Sequence, residues 1–160
     1  MSALQLHFLG TLDIRYDDQQ LPKPPTLKSQ SLLAYLVLHR QRPQPRDRLV
    51  GLFWGDRPER KARHSLSTAL WHIRRCLPND IPILSDAQKV QFDPQADLWL
   101  DAEEFQVLSS SVSGYPSLKP ETMKLETERL QRAVALYRGD FLEDNSLYAR
   151  CRAIGDSNSQ

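Results

Sequence analysis

The stretch from Arg57 to Leu77 reads RPERKARHSLSTALWHIRRCL, and its periodicity decides the fold. Ala62, Leu66, Leu70, Ile73 and Leu77 recur at helical spacing, so a helix opened by Pro58 carries one apolar stripe fit to dock on a core. The opposite side lines up His64, Thr68, Trp71 and Arg75, flanked by Arg60, Ser67 and His72. Cations and hydrogen-bonding groups gathered on one helix face are what a phosphate backbone and base edges require. The competing reading is an Arg-rich solvated surface with no ligand, because a charge run alone is weak evidence.

Immediately upstream, Gly55-Asp56-Arg57-Pro58 reads as a tight turn, and Arg46–Trp54 as a helix with Leu49, Val50 and Phe53 turned inward. Pro43 and Pro45 separate it from Lys28–His39, a helix with so few polar faces that it reads as largely buried. Further out, Leu6, Phe8, Leu12 and Ile14 alternate with polar neighbours as a half-buried antiparallel ribbon does, and Gln19–Pro22 reads as a third short strand. Asp13, Asp17 and Asp18 read as turn formers. Downstream of the basic helix, Ile81–Leu84 and Lys89–Phe92 form a hairpin around Ser85-Asp86-Ala87-Gln88. The order sheet, three helices, hairpin predicts an α+β fold with a C-terminal wing.

Past Pro94 the character changes. Asp101-Ala102-Glu103-Glu104 has the form of a capping box, with Phe105 and Leu108 behind it. A longer helix is expected from Pro120 to Arg138, with Leu130, Ala133, Val134 and Tyr137 on one stripe and Gly139 as its C-cap. A further short helix is expected over Ser146–Ile154. The chain thus divides into a winged unit, 1–97, and a short all-α segment, 98–160, with the first expected to fold by itself.

The formal charge of +1 conceals two opposed regions. Residues 40–77 carry ten Arg or Lys against three Asp or Glu, whereas 93–160 carry seven against twelve. This asymmetry suits a nucleic-acid-facing module joined to a different one. Cys76 and Cys151 offer neither a metal spacing nor a disulfide framework, which suits a reducing cytoplasm. MSALQLHFLG lacks the basic and apolar regions of a signal peptide, and Leu32–Leu38 is too short to span a bilayer, so no membrane role is expected. Enzyme signatures are absent: there is no Gly-rich phosphate loop, no His-Glu-x-x-His and no nucleophile elbow. His64 and His72 share a face without a Cys, Asp or Glu co-ligand, so neither a metal nor a cofactor is expected.

The run LLAYLVLHRQRPQPRDRLVGLFWGDRPERKARHSLSTALWHIRRCL closely resembles the DNA-binding domain of the Streptomyces antibiotic regulatory protein family. The shared elements are a Leu-rich helix ending in His-Arg, an Arg-Asp-Arg-Leu helix start, Leu-Phe-Trp-Gly-Asp, and Ala-Arg…Leu…Leu…Ile-Arg-Arg-Cys-Leu. Downstream, Asp101…Phe105 and LQRAVALYRGDFLED are similar to the opening of the bacterial transcriptional activator domain, a helical module that in this family runs well past the length seen here. The resemblance implies an OmpR-type winged helix-turn-helix over roughly residues 4–95. It also implies a double-stranded DNA partner and direct repeats occupied head to tail by two copies, while the acidic helical module is expected to contact RNA polymerase, a second copy or another domain. The wing departs from the family pattern: Ser85-Asp86-Ala87-Gln88 replaces a Pro-Gly-Tyr turn and brings no Arg or Lys to the tip.

On that resemblance helix 58–77 lies in the major groove, with His64, Ser67, Thr68, Trp71 and His72 at or near base edges and Arg74 and Arg75 reaching phosphates or a guanine. Arg60 and Arg63 belong to the same DNA-binding set, and Arg46 and Arg48 start the second helix where backbone N–H groups favour phosphate. Lys28 is placed likewise at the first helix. Trp71 also suits a partner interface, whereas Trp54 reads as core. The expected function is a sequence-specific transcription regulator, an activator. The alternative is a winged-helix protein–protein interaction module that does not read DNA sequence.

Overall fold

The computed structural model describes residues 4–81, 83–110 and 120–139 of the 160-residue chain. The alternating N-terminal sequence forms strands β1 (Leu4–His7) and β2 (Asp13–Tyr16), paired antiparallel, and β3 (Gln19–Leu21) pairs with β2. Asp17 and Asp18, at φ 52° and 62°, make the two-residue turn between β2 and β3. Both central residues of such a primed turn need positive φ, which aspartate tolerates better than bulkier side chains. Asp13 is no turn former: it lies in β2, and its carboxylate accepts from Arg15 Nε at 2.9 Å.

Three helices follow. Helix α1 (Leu27–Leu38) is capped by Thr26, whose hydroxyl accepts the Ser29 N–H at 3.1 Å while Ser29 Oγ accepts the Thr26 N–H. Leu32, Leu33, Leu36, Tyr35 and Val37 are all buried, so the helix runs through the core. Helix α2 (Arg46–Trp54) turns Leu49 and Phe53 inward, with Val50 packed against the cluster, and α3 (Glu59–Cys76) packs on both α1 and α2. The stripe Ala62, Leu66, Leu70, Ile73 and Leu77 is buried throughout. The wing is β5 (Ile83–Ser85) and β6 (Lys89–Phe92), and a short strand β4 (Gln44–Pro45) adds to β6 to make a second sheet in the order β4-β6-β5. Because β4 is an edge strand, Pro45 removes no ladder bond from the middle of the sheet. The expected α+β winged helix-turn-helix is the architecture observed.

Two features beyond residue 97 differ from the expectation. Strand β7 (Leu98–Leu100) joins the first sheet parallel to β1, giving the order β3-β2-β1-β7, with Leu4 opposite Leu98 and Leu6 opposite Leu100. Helix α4 (Asp101–Ser110) then starts on a residue that does not cap it. The buried Asp101 carboxylate accepts the backbone N–H of Phe8 at 2.9 Å and of Leu9 at 3.0 Å, so the capping-box reading is corrected. Those two N–H groups follow the end of β1, and buried backbone donors need an acceptor. Glu103, in the first turn of α4 with Glu104, also accepts from both Nη atoms of Arg40, at 2.9 and 3.2 Å. The line drawn after residue 97 therefore runs through hydrogen-bonded structure.

Helix α5 (Pro120–Leu136) packs antiparallel in sequence order on α4 through Ala133, with Phe105 and Tyr137 rings 5.7 Å apart. Of the expected stripe only Ala133 is buried, while Val134 is 72% exposed. Among the described residues α4 is the helix packed on α5, and one helix covers only a narrow line of it. The helix expected over 146–154, and Cys151, lie outside the described residues.

Candidate nucleic-acid interface

Helix α3 owes its orientation to its stripe. Burying five apolar positions on one side forces the intervening residues outward. Arg60, Arg63, His64, Ser67, Thr68, Trp71, Arg74 and Arg75 are accordingly exposed, and His72 is half-buried. The ends also match the helix dipole, with Glu59 in the first turn and Arg74 and Arg75 in the last.

A groove of about 600 Å³ lies between α3, the start of α2 and the wing, lined by Arg46, Asp47, Arg63, Ser67, Gln88 and Lys89 among others. The structure thus brings Arg46, Arg63 and Ser67 together on one concavity. Lys89 was not foreseen there. It follows the cation-free tip directly, and pairing of β6 with β4 places it on the groove wall. Its one legible signal was being the sole Lys or Arg of the hairpin.

The wing is tied to the helices in three places. The backbone N–H of Arg46 donates to Gln88 O at 2.8 Å, filling a role no side chain takes at the Pro45 cap of α2. Arg46 Nε donates to Asp86 O at 2.8 Å. From α3, Arg74 Nη2 donates to Ser85 Oγ at 2.6 Å and to Ile83 O at 3.3 Å. Arg74, expected to reach phosphate or guanine, is thus engaged by the wing. The tip itself is folded around Asp86, whose Oδ1 accepts the N–H groups of Gln88 and Lys89 at 2.7 and 2.8 Å. These backbone donors hold the Asp86 carboxyl below its ordinary range.

The remaining cations differ in how firmly they are held. Arg63 Nη2 meets Glu59 Oε1 at 2.7 Å and Asp47 Oδ1 at 3.3 Å, with all three side chains well exposed. Exposed pairs are worth about 0–1 kcal/mol, so a phosphate can draw Arg63 away at little cost. Arg75 carries its guanidinium carbon 4.7 Å from the centre of the Trp71 ring. Arg48, Arg60, His64 and Thr68 stand in the solvent-facing set. Lys28 points elsewhere, its Nζ lying 5.9 Å over Trp54, which is core. Among the described residues no group of three or more His, Cys, Asp or Glu is gathered as a metal site would need, and no helix is long and apolar enough to cross a membrane.

The chain is similar in fold to the solved structure of Mycobacterium tuberculosis EmbR in complex with a low-affinity phosphopeptide, with a TM-score of 0.71 over 98% of this chain at 21% sequence identity. It spans 43% of that protein's chain. No family model matches the sequence, and no curated protein matches it. At that identity the likeness is one of fold.

Proposed function

We propose that this protein is a sequence-specific, double-stranded DNA-binding transcription regulator that lays α3 in the major groove. The observation that carries the reading is the division of α3: an unbroken buried stripe on one side, and on the other an exposed row of Arg, His, Ser, Thr and Trp, of which Arg63 and Ser67 line the groove walled by the wing. In this arrangement Arg46, Arg48, Arg60, Arg63 and Lys89 neutralise phosphates and hold the register, while His64, Ser67, Thr68, Trp71, His72 and Arg75 face base edges. The role is one of binding and not of catalysis, exercised in the cytoplasm.

The acidic α4–α5 segment is read as the start of a helical module that contacts RNA polymerase, a second copy on direct repeats, or both, which makes the protein an activator. The exposed apolar residues Met123, Leu125 and Val134 on α5 suit a protein contact rather than a phosphate one. A second reading, a protein-binding winged helix, draws on the 51% exposure of Trp71.

Duplex selection from random sequence, followed by affinity measurements on the selected and a scrambled site from low to moderate salt, separates the two. A regulator keeps a large preference for the selected site as salt rises, because only the phosphate contribution is screened. Equal, salt-sensitive binding to both sites refutes sequence-specific function.

A further inference from the structure

We propose that Trp71 is a positioning residue that presents Arg75 to a guanine edge, an inference that rests on α3 being the recognition helix. The cations of the last turns of α3 have different fates. Arg74 is spent on Ser85 and Ile83 of the wing. Arg75, one residue on, has no carboxylate at ion-pair distance among the described residues and lies instead with its guanidinium carbon 4.7 Å from the indole centre of Trp71, one turn earlier. The indole has a second contact, the ring of His72 at 5.1 Å and 65°.

A guanidinium held over an indole is limited in the rotamers it can adopt, while its five N–H donors keep no carboxylate partner among the described residues. A phosphate takes the same fork from many directions. Guanine is more demanding, because O6 and N7 take two parallel donors only when the fork lies in the plane of the base pair. Restricting the side chain before binding lowers the ordering cost of that narrower geometry. The C-terminal end of α3 is also the negative pole of its dipole, which disfavours a phosphate more than an uncharged base edge. Geometry, the missing carboxylate and the dipole point the same way.

The test uses the full chain and a duplex selected by it from random sequence. Each guanine of that duplex is replaced in turn by 7-deazaguanine, which lacks the N7 acceptor, and binding is measured for wild type, R75A, W71F and W71L. At one guanine the replacement is expected to weaken wild type about 5–10-fold. R75A is expected to be indifferent to the replacement. W71F, which keeps an aromatic face, retains the sensitivity, and W71L loses it at an unchanged thermal midpoint. If R75A weakens binding equally on every sequence and lowers the salt slope by about one, Arg75 is a phosphate contact and the inference is overturned. Sensitivity surviving in W71L, or lost equally in W71F and W71L, removes the positioning role. Failure of the wild type to enrich any sequence instead overturns the functional reading beneath it.

Discussion

The carboxylate of Asp101 reaches back 93 positions to accept the backbone N–H of Phe8 at 2.9 Å, while its other oxygen takes Leu9 at 3.0 Å. One side chain at the first residue of α4 therefore accepts from the backbone just past β1 and fastens the acidic helices to the winged unit.

D101A removes the carboxylate that accepts from two buried N–H groups, at a cost of about 1–3 kcal/mol each. Urea unfolding of the full chain is expected to show the loss as a lower midpoint with an unchanged slope. For the same reason a fragment ending at residue 97, which also lacks β7, is expected to be far less stable than one ending at 110. Equal stability of the two fragments would return β7 and Asp101 to a marginal role.

Leu66→Ala acts through the core. Its side chain is 1% exposed on the inner stripe of α3, and truncating a buried Leu costs about 2–5 kcal/mol. Thr68→Ala, two residues on and exposed, is expected to leave the unfolding free energy within about 0.5 kcal/mol of wild type. A normal midpoint for L66A would reverse the two faces of the helix.

Arg74→Ala is expected to loosen the wing. Losing the hydrogen bonds to Ser85 and Ile83 costs about 1–2 kcal/mol. Hydrogen exchange locates the effect: β5 and β6 amides gain exchange while those of β1 and β2 do not. An unaltered wing would free Arg74 for the DNA contact expected of it from sequence.

His7 supplies a pH dependence. Burial lowers its pKa from 6.5, partly opposed by Asp101, whose Oδ2 is 3.9 Å away. The folded state thus prefers the neutral ring. Its contribution is complete above pH 6.5 and is lost as pH falls through the lowered value, because the unfolded chain binds the proton first. Unfolding free energy measured from pH 7.5 to 5 is expected to fall with pH, and His7→Gln to flatten that slope. An identical slope in H7Q would assign the acid sensitivity elsewhere.

Periodicity made much of this molecule legible. The spacing from Ala62 to Leu77 determined the buried side of α3 and so the exposed basic row, because 3.6 residues per turn allow only one core-facing line. The alternation of Leu4, Leu6 and Ile14 determined the inner face of the first sheet, and positive-φ tolerance of Asp17 and Asp18 determined its hairpin turn. What escaped depends on partners remote in sequence. The capping-box pattern at Asp101 is local, yet the backbone N–H groups of Phe8 and Leu9, remote in sequence, donate to that carboxylate and hold it. Leu98–Leu100 becomes a strand because β1 offers it an edge, and Gln44–Pro45 because β6 lies alongside. The same holds within the candidate interface. Sequence places Arg63, Arg74 and Arg75 on one exposed surface, but Asp47, Ser85 and Trp71 decide which is loosely paired, which is bound to the wing and which lies over an indole. A helical period sets direction, whereas hydrogen bonds and stacking at 3–5 Å are set by whatever the fold brings within reach.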